Sequence, residues 1–297
     1  MAFLRYFWCF SGLVLIASVL ILTGLKHWNL YTLQDIPFEW VIQWAPLSNA
    51  TAQKEIKMPS LEQEVPFKKA TFGMGCFWAN DALFGAQRGV LRTRVGYAGG
   101  TTPNPVYKDI ESGTSESGAT STDPLPGTSD ANPRGDHTEV IEIDYDPEII
   151  SYRELLKLFW DNHEYGVTTV IKRQYMSLIL YHEEEQRHIA ELDIIVEAGK
   201  RNEKLITEIA PAGPFYPAED YHQKYRLQKH GWIVEELNLT PEQLQTSTAA
   251  AKLNGYVAGV GSREDLERDL KMLGIPEKIA SFVRIQYSEN EGGNLYC

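Results

Sequence analysis

Hydrophobic and polar side chains recur along this chain with periods that predict strands and helices. The stretch from Phe67 to Phe72 is β-prone, and apolar side chains from Phe77 to Arg88 recur at helical intervals with no proline between them. Alternation predicts two further strands, over 91–97 and over 139–145. The glycine-containing turn at 73–76 is therefore expected where a strand ends and a helix begins.

The next elements follow the same kinds of signal. Ser151 and Glu154 have the spacing of a capping box before an apolar stripe. A strand is predicted over 177–181 and an amphipathic helix over 183–200. The apolar face of that helix, which is expected to point inward, consists of Ile189, Leu192, Ile195 and Val196.

The C-terminal part, 261–297, is predicted to contain one helix and a mobile tail. The helix begins at Ser262 and ends at Gly274, and a glycine- and asparagine-rich tail runs from Ser288 to Cys297. The segment before it, 67–260, is expected to form the main domain.

The N-terminus predicts a single-pass membrane anchor. No charged residue occurs from Phe7 to Leu25, a run long enough to cross a bilayer core as a helix. The anchor would span 1–26, followed by a juxtamembrane linker over 27–66. A cleaved signal peptide and an organellar leader are the alternatives, and the poor cleavage site at 22–26 argues against the first. The flanking charges favour a lumenal or extracellular catalytic domain.

Composition and charge narrow the classes of function. With 297 residues and 43% hydrophobic content the chain can build a sizeable core. Its net charge of −12 argues against nucleic acid or an anionic lipid surface as the main partner, because both would repel it. Cys9, Cys76 and Cys297 are too few and too scattered for a disulfide scaffold or a structural zinc site. The polar segment 111–134 is predicted to be a disordered insertion.

Cys76 is the strongest candidate for chemistry. At a helix N-terminus, unpaired N–H groups and the macrodipole stabilise negative charge, so a thiol there ionises more readily. Phe77 and Trp78 place flat apolar surface beside the sulfur. The alternative is a buried cysteine that packs as a small hydrophobe.

Glu139 is the candidate proton donor. It lies at the start of the strand over 139–145, in phase with Ile141 and Ile143. Burial on that apolar face would raise its pKa and keep it protonated near neutrality, as a general acid requires. The alternative is a glutamate at a strand end that is exposed to water.

Five separated motifs carry a resemblance to a known family. They are Gly75-Cys76-Phe77-Trp78, Val95-Gly96-Tyr97-Ala98-Gly99-Gly100, Gly135-Asp136-His137-Thr138-Glu139-Val140, Gln174-Tyr175-Met176-Ser177 and Phe215-Tyr216-Pro217-Ala218-Glu219-Asp220-Tyr221-His222-Gln223-Lys224-Tyr225. These motifs resemble those of the A-type peptide methionine sulfoxide reductases, which reduce the S epimer of methionine sulfoxide. The resemblance covers about 68–259 and implies an α+β two-layer sandwich with a mixed β-sheet and helices.

The resemblance implies a thiol mechanism with no bound cofactor. The Cys76 thiolate attacks the sulfoxide sulfur, Glu139 protonates its oxygen, and Cys76 becomes a sulfenic acid. Tyr97 and Tyr175 match the family's hydrogen-bonding tyrosines. The pocket for the substrate's methyl group matches Phe77 and Trp78.

Cys297 is the candidate second thiol. It would condense with the sulfenic acid, and thioredoxin or a similar dithiol would reduce the resulting disulfide. An incidental terminal thiol is the alternative. The expected substrates are oxidised proteins or free methionine sulfoxide.

The sequence departs from the family pattern in two places. Glu164 and Tyr165 stand where an aspartate-proline pair is usual, and Val170 replaces an acidic residue. Two other functions therefore stay open: a membrane-tethered cysteine hydrolase or acyltransferase with His137 or His222 as its base, and a non-catalytic binding protein of the same fold.

Overall fold

The structure, a computed structural model, describes most of the chain from Val65 onward. The predicted anchor over 1–26 lies outside the described residues, as do most of the linker and of the insertion. The described residues are 65–112, 136–163, 172–201, 205–293 and 295.

Six strands form one mixed sheet in the order β5-β4-β1-β3-β2-β6. Strands β4 and β5 pair in parallel, and the other neighbours are antiparallel. The strands are β1 (Lys68–Met74), β2 (Val90–Ala98), β3 (Thr138–Tyr145), β4 (Ser177–Tyr181), β5 (Glu208–Pro211) and β6 (Tyr216–Pro217).

Helices occupy the connections and the C-terminal part. In the described residues they are α1 (Phe77–Gly85), α2 (Tyr107–Ser112), α3 (Tyr152–Asp161), α4 (Glu184–Arg201), α5 (Tyr225–Gln228), α6 (Gly231–Glu236), α7 (Pro241–Thr246), α8 (Thr248–Tyr256), α9 (Arg263–Met272) and α10 (Glu277–Asn290). The mixed sheet with helices confirms the predicted α+β class. Among these helices none combines the length and the apolar run needed to cross a bilayer.

Two hydrophobic clusters stabilise the described part of the chain. The first, the sheet cluster, contains Phe72, Phe77 and Tyr97 with side chains from β3 and α3. The second, the helical cluster, is built by α5 to α10 around Leu253 and Tyr256. Helix α1 contributes Phe77 and Phe84 to the first, and Ala86, directly after it, belongs to the second. The helix that starts at the candidate nucleophile therefore lies between two cores.

The predicted capping box at Ser151 is confirmed, and a second helix start is capped in the same way. Ser151 accepts from the backbone N–H of Glu154, and the Glu154 side chain accepts in return from the Ser151 N–H. Thr240 and Gln243 form the same reciprocal pair at the start of α7. These local bonds satisfy N–H groups that the helix itself leaves unpaired.

The prediction for the inward face of α4 is wrong for three of its four residues. Ile189 is half-buried and packs against the sheet cluster, but Leu192, Ile195 and Val196 are 44%, 69% and 52% exposed. The buried stripe instead runs through Gln186 and Ala190. Gln186 donates to the Lys69 carbonyl at 2.7 Å, so the side of the helix that carries Gln186 faces the sheet.

The C-terminal part also differs from the prediction. A second helix, α10, follows α9 and continues to Asn290, past the point at Ser288 where the tail was expected to begin. Its Ile279, Ala280 and Val283 are buried in the helical cluster, so packing against α8 stabilises a helix whose sequence signals are weak.

The contact between α1 and α8 generates a stability prediction. A Cβ atom added at Gly255 would lie 2.6 Å from the Ala82 carbonyl oxygen and from the Ala86 side chain. We therefore expect Gly255→Ala to lower the free energy of unfolding in urea by about 1–3 kcal/mol, because the two helices would have to separate. Gly199→Ala is the control, since nothing lies within 4 Å of its added Cβ in α4. The control should stabilise by about 0.5–1 kcal/mol, and equal effects of the two substitutions would contradict the packing argument.

Candidate active site

The turn between β1 and α1 presents Cys76. Strand β1 ends at Met74, and Gly75 has a φ of +75°, which residues with a side chain rarely adopt. Cys76 is half-buried and occupies the N-cap position of α1 with extended backbone angles. It is disulfide-bonded in the structure. The predicted strand, turn and helix are therefore all present, with the sulfur at the helix N-terminus.

Glu139 lies next to this turn and is 1% exposed. Its carboxylate accepts the backbone N–H of Phe77 at 3.1 Å and the side-chain N–H of Gln174 at 2.7 Å. Burial raises the pKa of Glu139 to about 7, although both hydrogen bonds act in the opposite direction. A carboxyl group that is partly protonated near neutrality thus contacts the residue that follows Cys76, and the water-exposed alternative is excluded.

Phe77 and Trp78 lie in an aromatic cluster beside Cys76. Phe77 is 1% exposed, and its ring centroid lies 5.0 Å from that of His222. The Trp78 indole N–H donates to His222 Nδ1 at 3.0 Å, while its ring stacks on Tyr225 at 3.8 Å and 6°. His222 and Tyr225 therefore fix the orientation of the indole.

Tyr97 lies opposite Glu139 in the register of β2 and β3. Its hydroxyl donates to Glu219 at 2.8 Å, and its ring centroid is 6.0 Å from that of Phe77. Burial and the Glu219 carboxylate raise the pKa of Tyr97 far above its ordinary value, so the hydroxyl stays protonated. Tyr97 thus contacts Phe77 through its ring and the Glu219 carboxylate through its hydroxyl.

Glu219 connects this tyrosine to a second one. It also accepts the backbone N–H of Tyr107 at 3.0 Å, and the Tyr107 ring centroid lies 4.8 Å from that of His222. Burial opposes ionisation, but the hydrogen bonds from Tyr107 and Tyr97 keep the pKa of Glu219 below its ordinary value. The sequence analysis assigned no role to Tyr107, which follows the motif at 95–100 by a few residues.

Tyr175 is half-buried in the 3-10 turn Arg173–Tyr175. Its neighbour Gln174 is the residue that donates to Glu139. The sequence analysis did not identify Gln174, because the resemblance assigned a role only to Tyr175 within the motif that contains both residues. The spacing of that motif is nevertheless the signal that could have identified it.

The histidines considered as bases of a hydrolase are occupied otherwise. His137 lies between the Gly100 N–H and the Thr102 carbonyl, at 3.2 and 2.7 Å. His222 accepts from Trp78 through Nδ1, and burial lowers its pKa. These contacts give each ring a structural role. In the described residues no group of three or more His, Cys, Asp or Glu side chains could hold a metal ion.

Two of the predicted features lie outside the described residues, namely Cys297 and Val170. Cys9, the remaining cysteine, lies outside them as well. Leu295 is described, and its half-buried side chain packs against the sheet cluster that contains Phe77. The chain is therefore close to the site two residues before its end.

Comparisons with known proteins agree with this geometry. Residues 68–120 and 128–253 match the family model described as peptide methionine sulfoxide reductase. A peptide methionine sulfoxide reductase of Drosophila melanogaster is 49% identical over 247 residues, which are 82% of this chain and 91% of that protein. Peptide methionine sulfoxide reductase A5 of Arabidopsis thaliana is 36% identical over 199 residues, 65% of this chain and 69% of that protein.

A solved structure is also similar. Mxr1 from Saccharomyces cerevisiae in reduced form aligns with a TM-score of 0.44 and 25% identity, covering 56% of this chain and 86% of that chain. Because the family model matches more than half of the chain and the fly protein is aligned over most of its length, this chain belongs to the peptide methionine sulfoxide reductase family, and the names of its relatives make it a methionine sulfoxide reductase of the A type.

Proposed function

We propose that Cys76 is the nucleophile and Glu139 the acid in the reduction of the S epimer of methionine sulfoxide. The Cys76 thiolate attacks the sulfoxide sulfur while the Glu139 proton passes to the oxygen. The protonated oxygen then moves to the Cys76 sulfur, the sulfur–oxygen bond of the substrate and the new sulfur–sulfur bond both break, methionine leaves, and Cys76 becomes a sulfenic acid. The observation that carries this proposal is the buried carboxyl group bonded to the Phe77 N–H, directly after Cys76.

The neighbouring side chains have supporting roles in this proposal. Phe77 and Trp78 form the apolar surface that receives the substrate's methyl group. Tyr175 supplies a hydroxyl to the sulfoxide oxygen. Tyr97 acts differently from the expected direct donor, because its hydroxyl already donates to Glu219 at 2.8 Å. It orients the Phe77 ring and Glu219.

A second thiol closes the cycle. In the proposal, the Cys297 thiol displaces the oxygen of the sulfenic acid as water and forms a disulfide with Cys76. Thioredoxin or a similar dithiol then reduces this disulfide. The disulfide-bonded state of Cys76 and the packing of Leu295 against the sheet cluster support a tail thiol in this role.

The domain organisation is proposed as the sequence predicts it. A single-pass anchor over 1–26 and a linker over 27–66 would precede the reductase domain over 67–260, with the insertion over 111–134. The segment 261–297 would present the tail. We also propose that the reductase domain faces the lumen or the outside of the cell, as the charges beside the apolar run favour.

Proton donation by Glu139 predicts a pH dependence. A pKa raised to about 7 means that the carboxyl is protonated below that pH and loses its proton above it. The rate of the first turnover should therefore fall about tenfold per pH unit on the alkaline side. Glu139→Gln should lower the rate by about 100- to 10,000-fold at acidic pH and should remove this alkaline fall.

The matched control is Glu142→Gln on the same strand. The Glu142 carboxylate forms ion pairs with Lys69 and Arg94 at 2.9 and 2.6 Å, whereas the Phe77 N–H donates to Glu139. This variant should keep the alkaline fall. The test is a stopped-flow measurement of methionine release over the pH range. A Glu139→Gln enzyme that is as fast as the parent at every pH would exclude Glu139 as the proton donor.

The role of Cys297 predicts a difference between one turnover and many. Cys297→Ser should still release one methionine per chain, because that step needs only Cys76. Thioredoxin-driven cycling should stop, because the Cys76 sulfenic acid can no longer form a disulfide with Cys297. Cys9→Ser is the control and should cycle like the parent. Undiminished cycling of Cys297→Ser, measured by consumption of the reductant, would remove Cys297 from the scheme.

The anchor predicts how the full chain behaves on membranes. The protein should resist extraction with alkaline carbonate and keep its N-terminal residues when its intact mass is measured. A variant with Leu15→Arg and Leu20→Arg should be recovered in the soluble fraction, because each charge costs about 2.5–3.5 kcal/mol at the centre of a helix that inserts into the bilayer. Extraction of the unmodified chain by carbonate, or loss of its first residues, would contradict the proposed anchor.

A further inference from the structure

A turn follows the end of α10. The Asn290 side chain donates to the Val257 carbonyl at 2.9 Å, which attaches this end to the end of α8. Gly292 has a φ of +71°, and the Gly293 N–H donates to the Asn290 carbonyl at 2.9 Å. The chain therefore turns sharply after the helix instead of continuing along its axis.

Arg226 on α5 binds the chain after this turn. Its Nη2 donates to the Leu295 carbonyl oxygen at 3.1 Å. Leu295 precedes the C-terminal Cys297 by two residues, and two extended residues reach at most about 7 Å. The hydrogen bond thus holds the chain at a point two residues before the terminal thiol.

The same short helix contacts the nucleophile's motif. Tyr225, the neighbour of Arg226, stacks on Trp78 at 3.8 Å. Trp78 follows Cys76 by two residues. Helix α5 therefore binds the tail with one residue and the surroundings of the nucleophile with the adjacent one.

A buried ion pair fixes the start of α5 relative to α1. Lys224 and Asp81 are both fully buried, and Lys224 Nζ lies 3.0 Å from Asp81 Oδ1. The Lys224 backbone N–H also donates to Asp81 Oδ2 at 3.0 Å. Asp81 belongs to the helix that begins after Cys76, so the position of Arg226 is set by the helix of the nucleophile itself.

From these contacts we propose that Arg226 is a positioning residue for the recycling step. By binding the Leu295 carbonyl, it places the Cys297 thiol against the Cys76 sulfenic acid. The Cys297 thiolate attacks the Cys76 sulfur, a sulfur–sulfur bond forms, and the sulfenic oxygen leaves as water after taking a proton. The inference rests on the proposed role of Cys297.

Substitution of Arg226 tests the proposal in the full chain. Arg226 is only half-buried and lines an open cleft of about 330 Å³, so truncation opens no sealed cavity. With the S epimer of free methionine sulfoxide, Arg226→Ala should release the first methionine at the parent rate. Disulfide formation should slow by about 10- to 100-fold, because a hydrogen bond from a charged donor is lost.

The readout is the lifetime of the sulfenic acid. A cyclic 1,3-dione should trap much more of it in Arg226→Ala than in the parent, as measured by the mass of the intact protein. Arg226→Lys should recover part of the rate, because an ammonium group still donates to a carbonyl. Arg284→Ala is the matched control, since Arg284 on α10 pairs with Glu267 and Glu277 and should trap no more than the parent.

The outcomes separate the two proposals. Parent-like disulfide formation in Arg226→Ala, with cycling abolished in Cys297→Ser, would overturn the role of Arg226 alone. A first turnover slowed in the same proportion as disulfide formation would also overturn it, because that result indicates a general structural defect. Undiminished cycling of Cys297→Ser would instead refute the proposed second thiol, and the role of Arg226 with it.

Discussion

A buried carboxyl group in the middle of the sheet is the constraint on which the site depends. Glu139 has almost no contact with water, and such a group is costly in the interior unless donors surround it. Two donors reach it, the Phe77 N–H at the start of α1 and the side chain of Gln174. Because these donors come from separate segments, satisfying one side chain brings the turn at Cys76, the central strand and the 3-10 turn together.

The helix that begins after Cys76 is stabilised from two sides. The sheet cluster packs against Phe77 and Phe84, while α8 approaches so closely that Gly255 leaves no room for a side chain. The match to the family model ends at residue 253, and α9 and α10 lie beyond it. Leu295, which follows these last helices, packs against the sheet cluster, so the part of the chain that follows the family match returns to the neighbourhood of the site.

Much of the fold and of the site could be predicted because the signals were local. The turn at Gly75, the N-cap position of Cys76 and the phase of Glu139 in β3 follow from short-range periodicity and turn chemistry. The contacts of Gln174, His222 and Arg226 could not be predicted, because their partners lie 35, 144 and 69 residues away. The prediction of the inward face of α4 was wrong for a related reason. The side of α4 that faces the sheet carries Gln186, which donates to the Lys69 carbonyl, and that partner lies 117 residues away.

The two outer strands of the sheet have a consequence for an enzyme that acts on peptides. Strand β5 ends at Pro211 and β6 at Pro217, and both are very short. Proline has no N–H to donate, so neither border offers the long row of free backbone groups that invites another chain to add a strand. Extended substrate chains therefore find little template for β-type association at β5 and β6 themselves.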